Sequence, residues 1–489
     1  MICGVMLALK QCLKQKVATH MTSKPLQLSS WNDIQGVLAE SDGALAIAEQ
    51  SLEAMEANKD LNAYRTIDPA RVRAEAAAAV ARRAVDSKAP ALTGVPVSAK
   101  DLYVVEGYDT FAGTTMPLDA HFDGEGPVLR ALRDASVVIT GKTHTVEFAF
   151  GGIGTNPHWP TPMNPWDAGM DRVSGGSSSG SGVSLWTGTA ALALGSDTAG
   201  SVRVPASFTG CIGLKTTHGR WSLDGIVPLS PSLDTAGYLA LDAEIIAEAF
   251  KVIDPVASKD PRFIERAWPG QVKGLRLGIL RQAFDGAEPG IAEAVEASLK
   301  ELEAAGAILT DITLPEVDDA LALFKIGGVA GIEFAANVTN RFPDWRDRLD
   351  PNVLQRFEAI EQATAVEYLR RLDALKTMAV SAARRMDTAG VAAMVGPTVP
   401  ITAPSVQEVA DGARYVDRNM LALRNTVIGN FLKLSGFTIP AGKDAADMPV
   451  GLQVMTRTGA DIYAVGLLLA VQGVLGRPYD RLGAPPRVS

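Results

Sequence analysis

The chain has 489 residues, with 46 Lys+Arg against 55 Asp+Glu and a formal net charge of −9. At 47% apolar and 21% charged residues its proportions are globular, which excludes a wholly disordered or collagen-like chain. The acidity argues against nucleic acid as the main partner, because phosphate binding needs a basic surface.

At the N-terminus, Met1 to Leu9 are apolar and Lys10, Lys14 and Lys16 follow. A signal peptide carries its positive charges before the apolar run, so residues 1–30 read as a poorly ordered extension, with Met21 as an alternative initiator. No stretch reaches about 18 uninterrupted apolar residues, so the protein reads as soluble, without a membrane partner. Three cysteines (Cys3, Cys12, Cys211) form no CxxC and are too few for a disulfide framework. That suits a reducing, cytoplasmic compartment.

Residues 71–85 (RVRAEAAAAVARRAV) lack Gly and Pro and predict a helix. Leu92 to Ala99 predict a strand ending at Lys100, followed by a helix near 127–135 and a strand from Val137 to Thr140. Gly, Pro, Ser and Asn crowd 154–182, which reads as loop. A small-residue helix from about Ser178 to Thr189 and a strand near 191–196 lead into a second turn-rich stretch. Beyond it the pattern predicts strand 274–281, helix 290–305, strand 307–313, helices across 317–337 and 352–387, strand 391–396, helix 418–434, strand 451–456 and helix 461–475. Strands alternating with helices imply α/β layering, with helices on both faces of one large sheet. Length allows three domains, but no break in composition divides the chain, so 31–485 reads as one domain.

The chemistry question starts at GGSSSGSG (175–182), whose bland reading is a flexible linker. A second small-residue cluster, DTAGS (197–201), lies just downstream. Two such turns around one helix-plus-strand unit suggest two backbone loops brought together, with N–H groups able to hold an anion.

Four chemistries compete for these residues. Gly176–Gly180 matches G-x-S-x-G with Ser178 central, but no strand precedes it and no histidine follows His218, so a Ser-His-Asp triad in that order does not fit. Gly141-Lys142-Thr143 is half a phosphate-binding loop without its earlier glycine. The five histidines (His20, His121, His144, His158, His218) form no H-x-x-x-H or H-x-H pair and read as surface or turn residues, so no metal is expected. The fourth is a serine activated by a neutral lysine, for which burial must lower the lysine pKa. Lys100, ending the apolar GVPVSAK, is the candidate.

The blocks GVPVSAKDLYVVEGYDTFAGT (94–114), TGKTHTVEFAFG (140–151), MNPWDAGMDRVSGGSSSGSG (163–182) and ALGSDTAGSVRVPASFTGCIGLKTTHGR (193–220) resemble the amidase signature family. Weaker matches run through SLDTAGYLA (232–240), GPTVPITAP (396–404) and MPVGLQV (448–454). The resemblance implies an α/β/α sandwich around a mixed sheet, and hydrolysis of a C–N bond in a small or medium carboxamide, without a cofactor. Lys100 stands where the family has its catalytic lysine, Ser177 where it has the bridging serine after a cis peptide, and Ser201 where it has the nucleophile. Thr198, Ala199, Gly200 and Ser201 would supply oxyanion-hole N–H groups. Gly176, Ser178, Asp197 and Arg203 match supporting motif positions.

Ala199 replaces the glycine common at its position, and the methyl group should narrow the site. D-T-A-G-S with GGSSSGS is also similar to allophanate hydrolases, which implies a carbamate or urea substrate as an alternative. A second alternative is the glutamine-hydrolysing component of a tRNA-dependent amidotransferase. Those typically read S-I-R-Q-P where this chain has Ser201-Val202-Arg203-Val204-Pro205. The 317–375 region is expected to wall the substrate funnel, with Phe324, Phe334, Phe342 and Trp345 as apolar candidates or as core. The resemblance also allows a homodimer.

Overall fold

The computed structural model describes residues 28–488 apart from 119–121, 170, 261, 268 and 269. Most of the expected N-terminal extension, with Cys3, Cys12, His20 and Met21, lies outside the described residues, as does His121. Eleven strands form one sheet: β1 (Tyr64–Thr66), β2 (Pro96–Lys100), β3 (Val138–Thr143), β4 (Leu192–Asp197), β5 (Ile212–Lys215), β6 (Thr235–Ala240), β7 (Arg276–Leu280), β8 (Ile308–Ile312), β9 (Ala393–Pro397), β10 (Ser435–Lys443) and β11 (Pro449–Thr456). Their order is β1-β3-β2-β4-β6-β5-β10-β11-β9-β7-β8. β2 runs parallel to β3 and β4, and β7 parallel to β8 and β9. The strands between these groups pair antiparallel. This is the mixed sheet within an α/β/α sandwich that the family resemblance implies.

Side chains alternate across a strand, and here each face has its own core. Leu192 and Leu194 join the cluster under helices Ala243–Ile253 and Asp461–Leu475, while Ala193 joins the one under Ser181–Trp186 and Arg203–Thr209. Val97 and Ala99 of β2 share the first face. Ser98 therefore projects to the second, where its Oγ lies 2.9 Å from Ser184 Oγ. Lys100, two residues on, follows the same parity, so the sheet itself carries the lysine into the interior.

The predicted helix at 71–85 spans Pro69–Val85, started by Asp68, whose carboxylate accepts the N–H groups of Ala70 and Arg71. Helix 461–475 coincides with its prediction. β2 starts later than expected because 91–94 form turns, and β3 runs three residues further, to Thr143. Gly141 and Lys142 are thus strand residues, which removes any phosphate-binding turn there. The sequence reading missed β1, β5, β6 and β10. In β10, Pro440 reads as a breaker, but the register shifts between Pro440 and Gly442, and the bulge accommodates the missing N–H.

Candidate active site

Three chain segments meet at the ends of β2 and β4. The first is Lys100 itself, the last residue of β2. The second is the 174–180 loop before helix Ser181–Trp186, where the Gly176–Ser177 peptide is cis. The third is the turn 198–201 between β4 and helix Arg203–Thr209. Almost all of these residues are buried, so the small-residue patch is interior backbone and not a linker. A Cβ on Gly180 would sit 2.0 Å from the Ala63 carbonyl oxygen, so only glycine lets the loop lie against that segment. Ser178, the centre of the G-x-S-x-G match, ties the second segment to the third: its Oγ and N–H both donate to the Ser201 carbonyl, at 2.5 and 3.3 Å.

Lys100 Nζ lies 2.8 Å from Ser177 Oγ and 2.9 Å from Ser196 Oγ. Lys100 is wholly buried, and burial drives its pKa down to about 7 against the opposing pull of Asp197 and Asp234. Near neutrality a large share of this amine is unprotonated. Lys142, next door on β3, differs in having an acid of its own: Asp101 at 2.8 Å. Asp101 is raised by burial and lowered by Lys142 and the Phe111 N–H, with a net rise.

The 198–201 turn is held from below. Asp197 is buried, which would push its pKa up, but Arg203, Lys215 and Asn430 together bring it down to about 2. Arg203 Nε and Nη2 each lie 3.0 Å from an Asp197 oxygen, and the guanidinium also donates to Gln453 Oε1 and Asn430 Oδ1, both at 2.6 Å. Asp197 and Arg203 thus bind each other beneath the turn, with Asp197 also accepting the Gly200 and Val202 N–H groups. The Gly200 N–H, expected to face an oxyanion, is instead engaged by Asp197 Oδ1 at 2.9 Å. Gly200 has φ +135°, and a Cβ there would sit 2.0 Å from Thr426 Oγ1. Gly200→Ala is therefore expected to lower stability by more than about 1 kcal/mol and to impair turnover, read by thermal melting and by rate.

The sequence reading missed several polar groups. Ser196 touches Lys100, and Asp234 accepts Thr198 Oγ1 at 2.5 Å. Thr426 caps the Ala199 carbonyl at 2.7 Å, while Asn430 and Gln453 hold Arg203. Gln453 in the apolar strand PVGLQVMT and Asn430 on a buried helix end were the available signals.

Of the expected funnel wall, Phe334, Phe342 and Trp345 are core: all three pack on Phe148, at ring distances of 5.8, 5.5 and 6.3 Å. Phe324 differs, being partly buried and edge-on to Phe431. His144 is buried, not a surface residue, and burial lowers its pKa to about 4. His218 Nε2 lies 2.8 Å from the Pro231 carbonyl oxygen and His158 Nε2 3.1 Å from Glu147.

Residues 46–463 match the family model described as Amidase. The chain is 45% identical over 426 residues to 2-amino-5-chloromuconic acid deaminase of Comamonas testosteroni, covering 87% of this chain and 91% of that one. It is 31% identical over 466 residues to one of the subunits of the glutamyl-tRNA(Gln) amidotransferase of Cupriavidus necator, covering 85% and 90%. A crystal structure of an amidase aligns with a TM-score of 0.77 at 28% identity, covering 88% of this chain and 96% of that one.

Proposed function

The chain belongs to the amidase signature family, hydrolases of amide C–N bonds, and from that premise we propose that Ser201 is its nucleophile, Ser177 its proton relay and Lys100 its base. The observation that carries this reading is the buried Lys100 amine, 2.8 Å from Ser177 Oγ and with a pKa of about 7. The amine lone pair accepts the Ser177 proton, Ser177 takes the Ser201 proton, and Ser201 Oγ attacks the carbonyl carbon. The tetrahedral oxyanion lies against the N–H groups of Thr198, Ala199 and Ser201, each such donor being worth about 10²–10³ in rate in comparable enzymes. The relay then reverses: the proton returns through Ser177 to the leaving nitrogen, which departs as amine or ammonia. Water, deprotonated by the same relay, releases the acyl group as carboxylate.

The substrate in this proposal is a small or medium carboxamide. One observation favours a second substrate class, small amino-substituted dicarboxylates: the 45% identity to a deaminase of 2-amino-5-chloromuconic acid. Both release an amine or ammonia, so ammonia assays on primary amides and on 2-aminomuconic acids separate them. A cytoplasmic setting suits Cys211, a free, buried thiol whose pKa burial raises to about 12.

Labelling tests the nucleophile. The purified protein is treated with a fluorophosphonate and the adduct located by peptide mass spectrometry. Label on Ser201 is the expected result. Label on Ser178, or none on a protein that hydrolyses amides, would overturn the assignment.

The pH profile tests the base. Lys100 must be neutral to accept a proton, so activity should fall as pH drops below about 7. At lower pH, kcat/KM should fall by about tenfold per unit. A flat profile from about pH 5 to 9 would count against a lysine base.

A further inference from the structure

Resting on the reading of Lys100 as the base, we propose that Ser196, a hydrogen-bond partner of Lys100, and Asp234 are positioning residues of the same reaction, both lining a cavity with room for one water. A neutral amine has two N–H groups and one lone pair. Lys100 Nζ has two hydroxyl neighbours, Ser177 and Ser196. When Ser196 Oγ accepts one N–H, the lone pair is left facing Ser177, the direction from which the proton must arrive. Ser196 therefore sets the orientation of the base without touching substrate.

Ser196, Thr198 and Asp234 form the polar wall of a small cavity of about 10 Å³, whose other lining residues are apolar, Leu102 and Val227 among them. That volume is about the room one water needs, and the wall offers it hydrogen-bond partners. Both Asp234 oxygens are fixed: Oδ1 accepts Thr198 Oγ1 at 2.5 Å, and Oδ2 accepts the N–H groups of Leu229 and Ser230, each at 2.9 Å. Thr198 begins the turn that carries the proposed oxyanion donors. Asp234 thus meets the turn by direct contact and shares the cavity with Ser196, the hydrogen-bond partner of the lysine.

The charges around Lys100 come from each element packed there. Asp197 on β4 is matched by Arg203 from the following helix, and Asp101 by Lys142 on β3. Glu333, on helix Ala330–Arg341, accepts from Ser230 and Ser232 on the far side of the Asp234 loop. Asp234 forms no salt bridge among the described residues. Burial lifts its pKa to about 6, offset by its hydrogen bonds, and its charge raises the Lys100 pKa. Removing that charge should let Lys100 lose its proton at lower pH.

Asp234→Asn is suited to the test. Its amide oxygen can take the Leu229 and Ser230 N–H groups while its NH₂ donates to Thr198 Oγ1, so shape is kept and charge is lost. The full-length variants Asp234→Asn, Ser196→Ala and Ser196→Thr are assayed for amide hydrolysis from about pH 5 to 9, after circular dichroism shows each to be folded. Asp234→Asn is expected to move the acid limb of kcat/KM down by about half a unit or more. Ser196→Ala should lower kcat by about tenfold with KM little changed, and Ser196→Thr, which keeps the hydroxyl, should recover most of it. A wild-type acid limb in folded Asp234→Asn, or a wild-type kcat in Ser196→Ala, overturns the proposal. If Asp234→Asn does not fold, the Ser196 pair decides the question by its kcat against KM. Lys100→Ala retaining turnover would instead remove the reading on which the proposal rests, and is run alongside to separate the two failures.

Discussion

Lys100→Ala is expected to lower kcat by about 10⁴-fold while leaving the protein folded. Two physical facts make the effect large. The residue is the sole amine within hydrogen-bond distance of Ser177 among the described residues, so no neighbour can take over its proton. Its amine also has a pKa of about 7, which a serine hydroxyl or water left in its place does not have. Folding should survive because the lost group is costly to bury: removing an amine desolvated at the end of β2 relieves that cost even as it leaves a small cavity. The two hydroxyls that remain, on Ser177 and Ser196, can bond to water in the space vacated. Lys100→Arg should be equally inactive, because a guanidinium keeps its proton at every accessible pH and has no lone pair to offer. Steady-state rates together with near-ultraviolet circular dichroism check both variants. Near-wild-type turnover in either would show that the relay does not start at residue 100.

The second large effect concerns stability. Arg203→Met should destabilise the fold by about 3–5 kcal/mol, because it leaves a carboxylate in the interior without its counter-ion. Asp197 and Arg203 are both 0% exposed, and the guanidinium also satisfies Asn430 and Gln453, so one substitution breaks a network that spans β4, a helix end and β11. Arg203→Lys keeps the charge but loses the planar fork, and should lie between the mutant and wild type. Denaturant midpoints measure both, and a midpoint unchanged in Arg203→Met would show that the pair is energetically neutral. Linkage adds a signature. Asp197 has its folded pKa depressed to about 2, so its stabilising contribution is present above the unfolded carboxylate pKa and is lost as pH falls from about 4 towards 2.

The two effects separate the turn's chemistry from its support. The Lys100 variants should lose rate and keep stability. The Arg203 variants should lose stability, and lose rate only as far as the 198–201 turn is displaced.

Much of the fold was legible because it follows from local pattern. Helix Pro69–Val85 reads from alanine and arginine content with no Gly or Pro, and helix Asp461–Leu475 from its apolar run. The strands that escaped, β1, β5, β6 and β10, are short or carry glycine and proline; β1 persists at the edge by pairing with β3, and the other three because neighbours pair with them on both sides. Propensity carries no record of that support. The aromatic residues of 317–375 show the same limit. Sequence offers Phe324, Phe334, Phe342 and Trp345 as equals, and packing alone sets Phe324 edge-on to Phe431 while the other three close on Phe148.

The residues proposed to react are themselves legible in the chain. Lys100, Ser177 and Ser201, and the glycines around them, stand in consecutive motifs that can be read without coordinates. Their environment comes from folding alone. Strand parity turns Lys100 inward on the face that Ser98 shares with Ser184, and burial makes its amine a base near neutral pH. The Asp197 carboxylate claims the Gly200 N–H that the motif would have left for the oxyanion. Ser196 and Asp234 are separated by 38 positions in the chain and meet at one cavity because β4 and β6 are neighbours in the sheet. Desolvation and hydrogen-bond competition depend on three-dimensional neighbours, and a linear sequence does not contain them.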